Sequence, residues 1–248
     1  MTTKLFSTLL TSAVAISGTI AAANPAAAFD VSRFQTFVHT EHKALDSEFV
    51  ANRSLDPTKL DLIYDHDVKV HFISEGANFR NTLGVTTTGT TEIDQLLFDD
   101  ITCITDACST YKRYRDSGSK PVADGGLEAG EAVDLGTIAA GTTLDFWLGQ
   151  NAFDRTNYNT WYGDASKNSD GLQHLMAYEF ENYLVLAWED LTGGGDKDYN
   201  DVVFAVDVGE GNLRHMQKVS ASVPEPAMTS ALLGLSALGL FGRRRRKA

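Results

Sequence analysis

Hydrophobic and polar residues alternate along several short segments of this chain. In the segment DVKVHF, Val68, Val70 and Phe72 fall on one side of an extended strand, because strand side chains alternate between two faces. The same period groups Leu144, Phe146 and Leu148, then Leu184, Leu186 and Trp188, and finally Val202, Phe204, Val206 and Val208. Glycine-containing turns separate these segments, so the pattern predicts an all-β fold, either an antiparallel β-sandwich or a jelly roll.

One segment near the N-terminus has a helical period instead. Phe34, Phe37, Val38, Leu45 and Phe49 fit a single apolar stripe within residues 32–50. We therefore expect a short helix close to the start of the mature protein, packed beside an otherwise all-β domain.

The first 28 residues have the three parts of a secretory signal peptide. Lys4 provides the basic start, an apolar stretch follows, and Ala26, Ala27 and Ala28 provide the small residues of a cleavage site. A transmembrane helix is the alternative, and the short stretch with its break at Pro25 disfavours it. The sequence therefore predicts export of the protein.

The end of the chain contains a Pro-Glu-Pro box, a short apolar segment and a basic cluster, in that order. The apolar segment is marginal for a stable span, which needs about 20 residues, and the basic cluster keeps its own end in the cytoplasm. These parts resemble the PEP-CTERM sorting signal of Gram-negative bacteria that make exopolysaccharide. The residues that carry the resemblance are Pro224, Glu225, Pro226, Arg243, Arg244, Arg245 and Arg246.

This resemblance implies a location and a partner. The partner is an exosortase-type processing enzyme, and a short transmembrane helix would anchor the protein transiently in the inner membrane before processing. The body of the protein would then lie in the cell envelope or the extracellular matrix. A plain tail anchor is the alternative, and it would leave the proline box without a role.

The stretch between the two ends has the length of one domain. We assign residues 1–28 to the signal peptide, 29–59 to an N-terminal extension, 60–210 to a β-sandwich domain, 211–222 to a linker and 223–248 to the sorting tail. Setting both ends aside removes six basic residues and one acidic residue, so the net charge falls from −12 to −17. Such a surface repels phosphate backbones, so we expect no nucleic acid partner. It suits divalent cations or simple solubility.

The chain has two cysteines, Cys103 and Cys108. In an exported protein they are expected to form a disulfide. The loop that such a bond would close is short, so its entropic contribution is small and it would mainly pin the turn CITDAC. A metal pair is the alternative, and the lack of a nearby His or further Cys disfavours it.

The segment WEDLTGGGDKDYNDVVFAV gathers oxygen ligands between two apolar strands that we expect to pair as a hairpin. Asp190 ends the first strand, Asp196, Asp198 and Asn200 alternate in the loop, and Asp201 begins the return strand. Ordering a loop with three glycines costs backbone entropy, and Ca²⁺ takes six to eight oxygens of this kind. We therefore predict a Ca²⁺ site that orders this last hairpin. Asx-turns alone, in which Asp and Asn bind their own backbone, are the alternative.

The signature EDL-x-GGGD-x-DYNDVVF resembles that of a bacterial domain-of-unknown-function family, family 4114. Weaker blocks, among them VKVHFISEGANFRNTLG, occur in the family's order, so the resemblance covers about residues 60–208. It implies a calcium-associated β-sandwich without established catalysis. It also makes Glu75, in the E-G-A block, a further candidate metal ligand.

Residues 151–171 form a predicted loop that is rich in Asn, Tyr and Trp. Tyr158, Trp161 and Tyr162 are candidates for stacking on sugar rings, as an exopolysaccharide partner would require. The alternative, which we favour, is an ordinary surface loop whose aromatic side chains fold onto the sandwich.

Two classes of function remain. We expect a secreted, non-catalytic, calcium-stabilised protein of the envelope or extracellular matrix, adhesive or associated with exopolysaccharide. The alternative is a polysaccharide-acting hydrolase on a jelly-roll scaffold, which needs two carboxylates across a cleft. Glu75, Glu189 and Asp190 are available, but no spacing singles out a pair, and the chain has no G-x-S-x-G or H-E-x-x-H motif. We therefore predict no catalytic residues.

Overall fold

The structure, a computed structural model, describes residues 29–38, 53–105, 108 and 126–221. The predicted signal peptide and the predicted sorting tail with its transmembrane helix lie outside these described residues. Within them, the chain is an all-β sandwich of two antiparallel sheets, which confirms the predicted fold class. Among the described residues, no helix has both the length and the apolar character that crossing a membrane requires.

Eleven strands and two α-helices make up the described part of the chain. The strands are β1 (Ser54–Leu55), β2 (Asp61–Leu62), β3 (His66–Glu75), β4 (Asn81–Gly89), β5 (Asp94–Ile101), β6 (Ala132–Ile138), β7 (Thr142–Gly149), β8 (Thr160–Tyr162), β9 (Leu175–Phe180), β10 (Tyr183–Trp188) and β11 (Val202–Asp207). The helices are α1 (Val31–Val38) and α2 (Glu210–Ala221), and a short 3-10 helix spans Ala165–Lys167.

The large sheet has six strands in the order β1-β9-β10-β11-β3-β6. Strands β10 and β11 form the predicted antiparallel hairpin, with Leu186 opposite Phe204. The small sheet has the order β2-β7-β4-β5, and β8 pairs with β7. The last hairpin therefore lies in the middle of the large sheet, and its loop opens at one end of the sandwich.

The inner faces of the two sheets form the main core, as the alternating pattern predicted. All of the residues that the period of two grouped together are buried there: Val68, Val70, Phe72, Leu144, Phe146, Leu148, Leu184, Leu186, Trp188, Val202, Phe204, Val206 and Val208. Stacking of Phe98 on Phe204, with ring centroids 5.1 Å apart, joins β5 of the small sheet to β11 of the large sheet.

A second apolar cluster covers the outer face of the large sheet. Helix α1 begins after Asp30, whose Oδ1 accepts a hydrogen bond from Ser32 N (3.1 Å), as an N-cap does. The helix places Phe34 against Ile73, Val185 and Val203 on the sheet. The predicted N-terminal helix is thus present over Val31–Val38, and residues 39–52 of the predicted segment lie outside the described residues.

Helix α2 differs from the sequence prediction, which assigned residues 211–222 to a linker. Residues Glu210–Ala221 are helical. Leu213 and Met216 insert into the main core, while Asn212 fixes the start of the helix by bonding the turn between β2 and β3. Two buried apolar residues are too few to give a clear helical period in the sequence.

Candidate metal centre

The loop of the last hairpin, residues 189–201, has an unusual backbone path; we call it the acidic loop. Gly193, Gly194 and Gly195 have positive φ angles, which glycine adopts without cost. Lys197 (φ 61°) and Tyr199 (φ 53°) are also left-handed, at a cost of about 1 kcal/mol or more each. These left-handed residues flank Asp198 on both sides, so the loop is folded tightly around that carboxylate.

Carboxylates from both ends of the acidic loop converge on two points. Glu189, Asp196 and Asp198 each offer an oxygen atom, and these three atoms lie within 4.8 Å of one another. Glu189, Asp190 and Asp201 form a second group under the same limit. Glu189 belongs to both groups and is only 1% exposed, so it is the centre of the cluster.

Backbone and side-chain donors fix the orientation of these carboxylates. Lys197 N donates to Glu189 Oε2 (3.0 Å), and Asp190 N donates to Asp201 Oδ2 (2.8 Å). Asn200 Nδ2 donates to Asp198 Oδ2 at 2.8 Å. The loop backbone therefore wraps around its own acidic side chains, and it holds them in one place.

The buried amide of Asn81 links the acidic loop to a neighbouring turn. Asn81 Nδ2 donates to Asp190 Oδ2 (2.7 Å), and Asn81 Oδ1 accepts from Asn151 N (2.9 Å). Gln150 Nε2 donates to the carbonyl oxygen of Asp190 at 2.8 Å. The residues after β7 and the residues after β10 are thus joined through one carboxylate and one carbonyl group.

The cluster is electrostatically crowded. Burial, followed by the negative charges of Asp190 and Glu189, raises the pKa of Asp201 well above its usual range. The hydrogen bond from Asp190 N acts in the opposite direction and does not offset these two effects. Three carboxylates this close are stable together only with a bound proton or a bound cation.

Trp161 and His174 support the acidic loop by bonding the backbone at its start. Their rings are stacked with centroids 3.8 Å apart. Trp161 Nε1 donates to the carbonyl oxygen of Asp190 (2.9 Å), and His174 Nδ1 lies 2.7 Å from that of Glu189. Both aromatic side chains therefore position the backbone of the two residues that begin the loop.

Asp170 connects His174 to the glycine segment of the acidic loop. Its Oδ2 accepts a hydrogen bond from Gly193 N (2.8 Å) and lies 3.0 Å from His174 Nε2. Burial alone would raise its pKa, but the N–H groups of Gly193 and Leu172, together with His174, lower the pKa of Asp170 to about 2. Asp170 is therefore ionised at neutral pH and holds the glycine segment in place.

The structure brings together most of the predicted metal ligands. Asp190, Asp196, Asp198 and Asp201 lie in the two carboxylate groups, and Asn200 is bonded to Asp198. Glu189, which the ligand prediction left out, lies in both groups. Strand β10 ends at Trp188, so Glu189 and Asp190 no longer alternate between faces. The position of Glu189 and Asp190, shortly before the three glycines and the Asp-rich segment, was the signal available in the sequence.

Glu75 lies outside both carboxylate groups, so the prediction that it ligates the metal is not supported. It is buried at the end of β3, opposite Val202. Its Oε2 accepts a hydrogen bond from Cys103 N at 3.2 Å. Cys103 and Cys108 form the predicted disulfide, with Cα atoms 5.7 Å apart. Glu75 thus contacts the disulfide turn.

The three predicted glycan contacts have different surroundings. Trp161 is fully buried, so it has no surface with which to stack on a sugar, and the structure corrects that prediction. Tyr162 is half-buried, with Lys167 Nζ 5.5 Å from its ring centroid. Tyr158 is 43% exposed and keeps a free aromatic surface.

Chemically, the acidic loop offers only hard oxygen donors. Such a set suits Ca²⁺ or Mg²⁺ rather than a soft transition metal, which prefers thiolate or imidazole ligands. The ring nitrogens of His174 bond the carbonyl of Glu189 and the carboxylate of Asp170, so they are not directed at the carboxylate groups. The arrangement is therefore a cluster of carboxylate oxygens in a hairpin loop at one end of a β-sandwich, and these residues could hold a hard cation.

Two family models match parts of the chain. Residues 130–209, which contain the acidic loop, match the family described as Domain of unknown function (DUF4114), a shorter stretch than the resemblance predicted. Residues 222–247 match the PEP-CTERM protein-sorting motif. No curated protein and no solved structure matches the chain.

The sorting motif assigns the protein to a location. It is an exported protein of the Gram-negative cell envelope that an exosortase recognises and that is anchored transiently in the membrane. The match begins directly after helix α2, which ends at Ala221. The β-sandwich thus precedes a sorting motif that an exosortase recognises, and the matched domain has no known function.

Proposed function

We propose that this protein is a non-catalytic, calcium-stabilised component of the cell envelope or extracellular matrix, associated with exopolysaccharide. One observation carries the proposal: two groups of carboxylates, sharing Glu189, converge within the acidic loop. The loop connects two central strands of the large sheet, so a cation there would hold the middle of the sandwich closed.

The residues fit a calcium ion in both chemistry and spacing. Calcium binds six to eight oxygens at 2.3–2.6 Å, so two of its ligand atoms lie at most about 5 Å apart. The oxygens of Glu189, Asp196 and Asp198 satisfy this limit, as do those of Glu189, Asp190 and Asp201. Residues Glu189 and Asp198 would form the buried side of the site, and Asp196 the exposed side.

Removal of calcium should therefore destabilise the protein. A ligand that binds only the native state at about 100 times its Kd adds about 2.7 kcal/mol, or about 5–10 °C in Tm for a domain of this size. We expect a Tm difference of this order between calcium and chelator for the full-length protein in mild detergent. The Glu189→Gln variant should lose the difference, whereas Asp94→Asn, an exposed change on β5, should keep it.

A second variant separates metal binding from simple packing. In chelator, Asp201→Asn should have a Tm equal to or above that of the wild type, because it removes the need to bind a proton beside Asp190 and Glu189 and keeps an oxygen that accepts from Asp190 N. The rise in Tm on going from chelator to calcium should be smaller for this variant than for the wild type. Retention of the full calcium shift by Glu189→Gln, or a lower Tm of Asp201→Asn under both conditions, would contradict the metal assignment.

A further inference from the structure

Two clefts lie side by side on the surface next to β7, and they share Tyr158. The aromatic cleft, of about 360 Å³, is lined by Leu96, Asp99, Trp147, Phe153 and Tyr158 among others. The amide cleft, of about 380 Å³, is lined by Gln150, Arg155, Asn157, Tyr158 and Asn159 among others. Each has the volume of a small-molecule site, and Tyr158 lines both.

The aromatic cleft concentrates apolar side chains that are otherwise scattered over the surface. Of the seven large hydrophobic residues that are exposed in the described part of the chain, Leu96, Phe153 and Tyr158 all lie here. Trp147 is half-buried beside them. Clustered exposed aromatic residues mark a binding surface more reliably than single ones do.

The ring of Phe153 is held in place by Arg80. The guanidinium carbon of Arg80 lies 3.7 Å from the ring centroid, which is the geometry of a cation–π contact. Arg80 is fixed in turn by the buried carboxylate of Asp100, to which Arg80 Nε donates at 3.1 Å and Arg80 Nη2 also donates. A surface ring that is ordered before binding loses little conformational entropy when a ligand stacks on it.

The backbone beneath this ring is equally constrained. Asn151 has a left-handed conformation (φ 53°), and its Oδ1 accepts from Arg80 N at 3.0 Å. Phe153 N donates to the carbonyl oxygen of Arg80 at 3.3 Å. The turn that carries Phe153 is therefore tied to β4, so the cleft is preformed.

The polar groups beside the aromatic surface select the class of ligand. A pyranose ring presents apolar C–H faces and a rim of hydroxyl groups. Aromatic faces match the C–H faces, while carboxamide, carboxylate and guanidinium groups match the hydroxyl rim. The aromatic cleft supplies Asp99 and the amide cleft supplies Asn157, Asn159 and Arg155, within reach of a chain that passes over Tyr158.

We propose that these two clefts form a binding site for a polysaccharide segment, with one sugar residue over each side of Tyr158. The proposal deepens the proposed function, and it rests on that function only in placing the protein among extracellular polysaccharides. The site consists of the stacking surface of Trp147, Phe153 and Tyr158 together with the hydrogen-bonding side chains beside it. Trp161 has no part in it.

Intrinsic fluorescence provides a local readout. The chain has three tryptophans, and Trp161 and Trp188 are fully buried. Trp147 is the half-buried one, so iodide quenching reports mainly on the aromatic cleft. Full-length protein in a detergent without sugar head groups would be titrated with dextran, a neutral polymer, and with alginate, a uronate polymer. Calorimetry under the same conditions gives the Kd.

We expect at least one of the two polymers to bind and to protect Trp147 from iodide. Tyr158→Ala should weaken that binding about tenfold, as truncation of an aromatic anchor does, and Tyr158→Phe should retain most of it because the ring remains. Tyr64→Ala removes a ring that is 58% exposed, against 43% for Tyr158, at the turn between β2 and β3, and it should leave binding unchanged. If alginate binds, Arg155→Ala should weaken its binding more than that of dextran.

The proposal is overturned if neither polymer binds, or if Tyr158→Ala and Phe153→Ala both leave the Kd unchanged. The calcium assignment fails separately. Loss of the Tm difference between calcium and chelator, with saccharide binding intact, would contradict the metal site and not the clefts. An intact Tm difference without saccharide binding would contradict the clefts alone.

Discussion

At the scale of single residues, Gly195 is the position where a side chain would conflict most directly with the proposed cation site. A Cβ atom at Gly195 would lie 1.9 Å from Glu189 Oε1, well inside any real contact distance. The φ angle of Gly195 is also positive, at 39°. The absence of a side chain therefore lets the loop close over Glu189, the carboxylate that both groups share.

We predict that Gly195→Ala weakens calcium binding about 10–100-fold, as expected when a carboxylate ligand is displaced. Gly193→Ala is the matched control, because Gly193 is also left-handed (φ 87°) and a Cβ atom there meets no neighbour. Both variants pay the backbone cost of alanine at positive φ, but only the first displaces Glu189. Calcium titration by calorimetry measures the difference, and equal affinities in the two variants would contradict the prediction.

At the scale of elements, the turn before β9 supports the acidic loop. Asp170 accepts from Gly193 N, and it is held near His174. Its folded pKa of about 2 lies below the unfolded value of about 3.9. The stability that these bonds contribute is therefore complete above about pH 4, and it is lost as the pH falls toward 2.

We predict that Asp170→Asn flattens the acid limb of the stability profile. The difference in Tm between wild type and variant, measured in chelator from pH 6 to pH 2, should be largest above pH 4 and should shrink toward pH 2. Asp94→Asn again serves as the control, since Asp94 is exposed on β5. A difference between wild type and Asp170→Asn that stays constant over this range would show that the charge of Asp170 has no stabilising role.

The elements also show where sequence reasoning works and where it fails. A period of two residues identified the inner faces of β3, β7, β10 and β11, because only apolar side chains fit between the sheets. The same period did not predict that the outer face of the large sheet is buried, since Val185, Val203 and Ala205 interrupt the alternation. Their continuous apolar runs are typical of strands buried on both faces. The apolar runs in the sequence therefore indicated that the outer face is covered, and α1 is the helix that covers it.

For the site residues too, local patterns in the sequence were informative and contacts between distant segments were not. The clustering of carboxylates in the acidic loop could be predicted, because Asp and Asn recur at short spacing after three glycines. Glu75 lies outside both carboxylate groups, and a motif in the sequence does not say which neighbour a buried carboxylate faces. The aromatic cleft joins Leu96, Trp147 and Tyr158 from β5, β7 and the following loop. Such a surface depends on the pairing of strands, so no local pattern predicts it.

At the scale of the whole molecule, α2 joins the end of the folded domain to the turn between β2 and β3. The buried side chain of Asn212 accepts hydrogen bonds from Ile63 N (2.8 Å) and Tyr64 N (2.9 Å). Its Nδ2 donates to the carbonyl oxygens of Tyr64 and Val208. Four hydrogen bonds from one amide thus fix a helix that the sorting motif directly follows.

We predict that Asn212→Ala lowers the free energy of unfolding by about 1–3 kcal/mol, because it leaves two part-buried backbone N–H groups without their acceptor. Lys218→Ala, on the exposed side of the same helix, should change it by less than about 0.5 kcal/mol. Urea unfolding of the full-length protein in detergent measures both values. Similar losses in the two variants would show that Asn212 does not anchor α2.

Asn81 has one further consequence for the protein as a whole. Its amide bonds Asp190 in the acidic loop on one side and Asn151, beneath Phe153, on the other. With a cation at the loop and a sugar over Phe153, the two occupants would share one rigid connection. Whatever factor calcium applies to the affinity for the sugar, the sugar must apply to the affinity for calcium. Where that factor exceeds one, the protein would hold its polysaccharide more firmly when calcium is plentiful than when calcium is withdrawn.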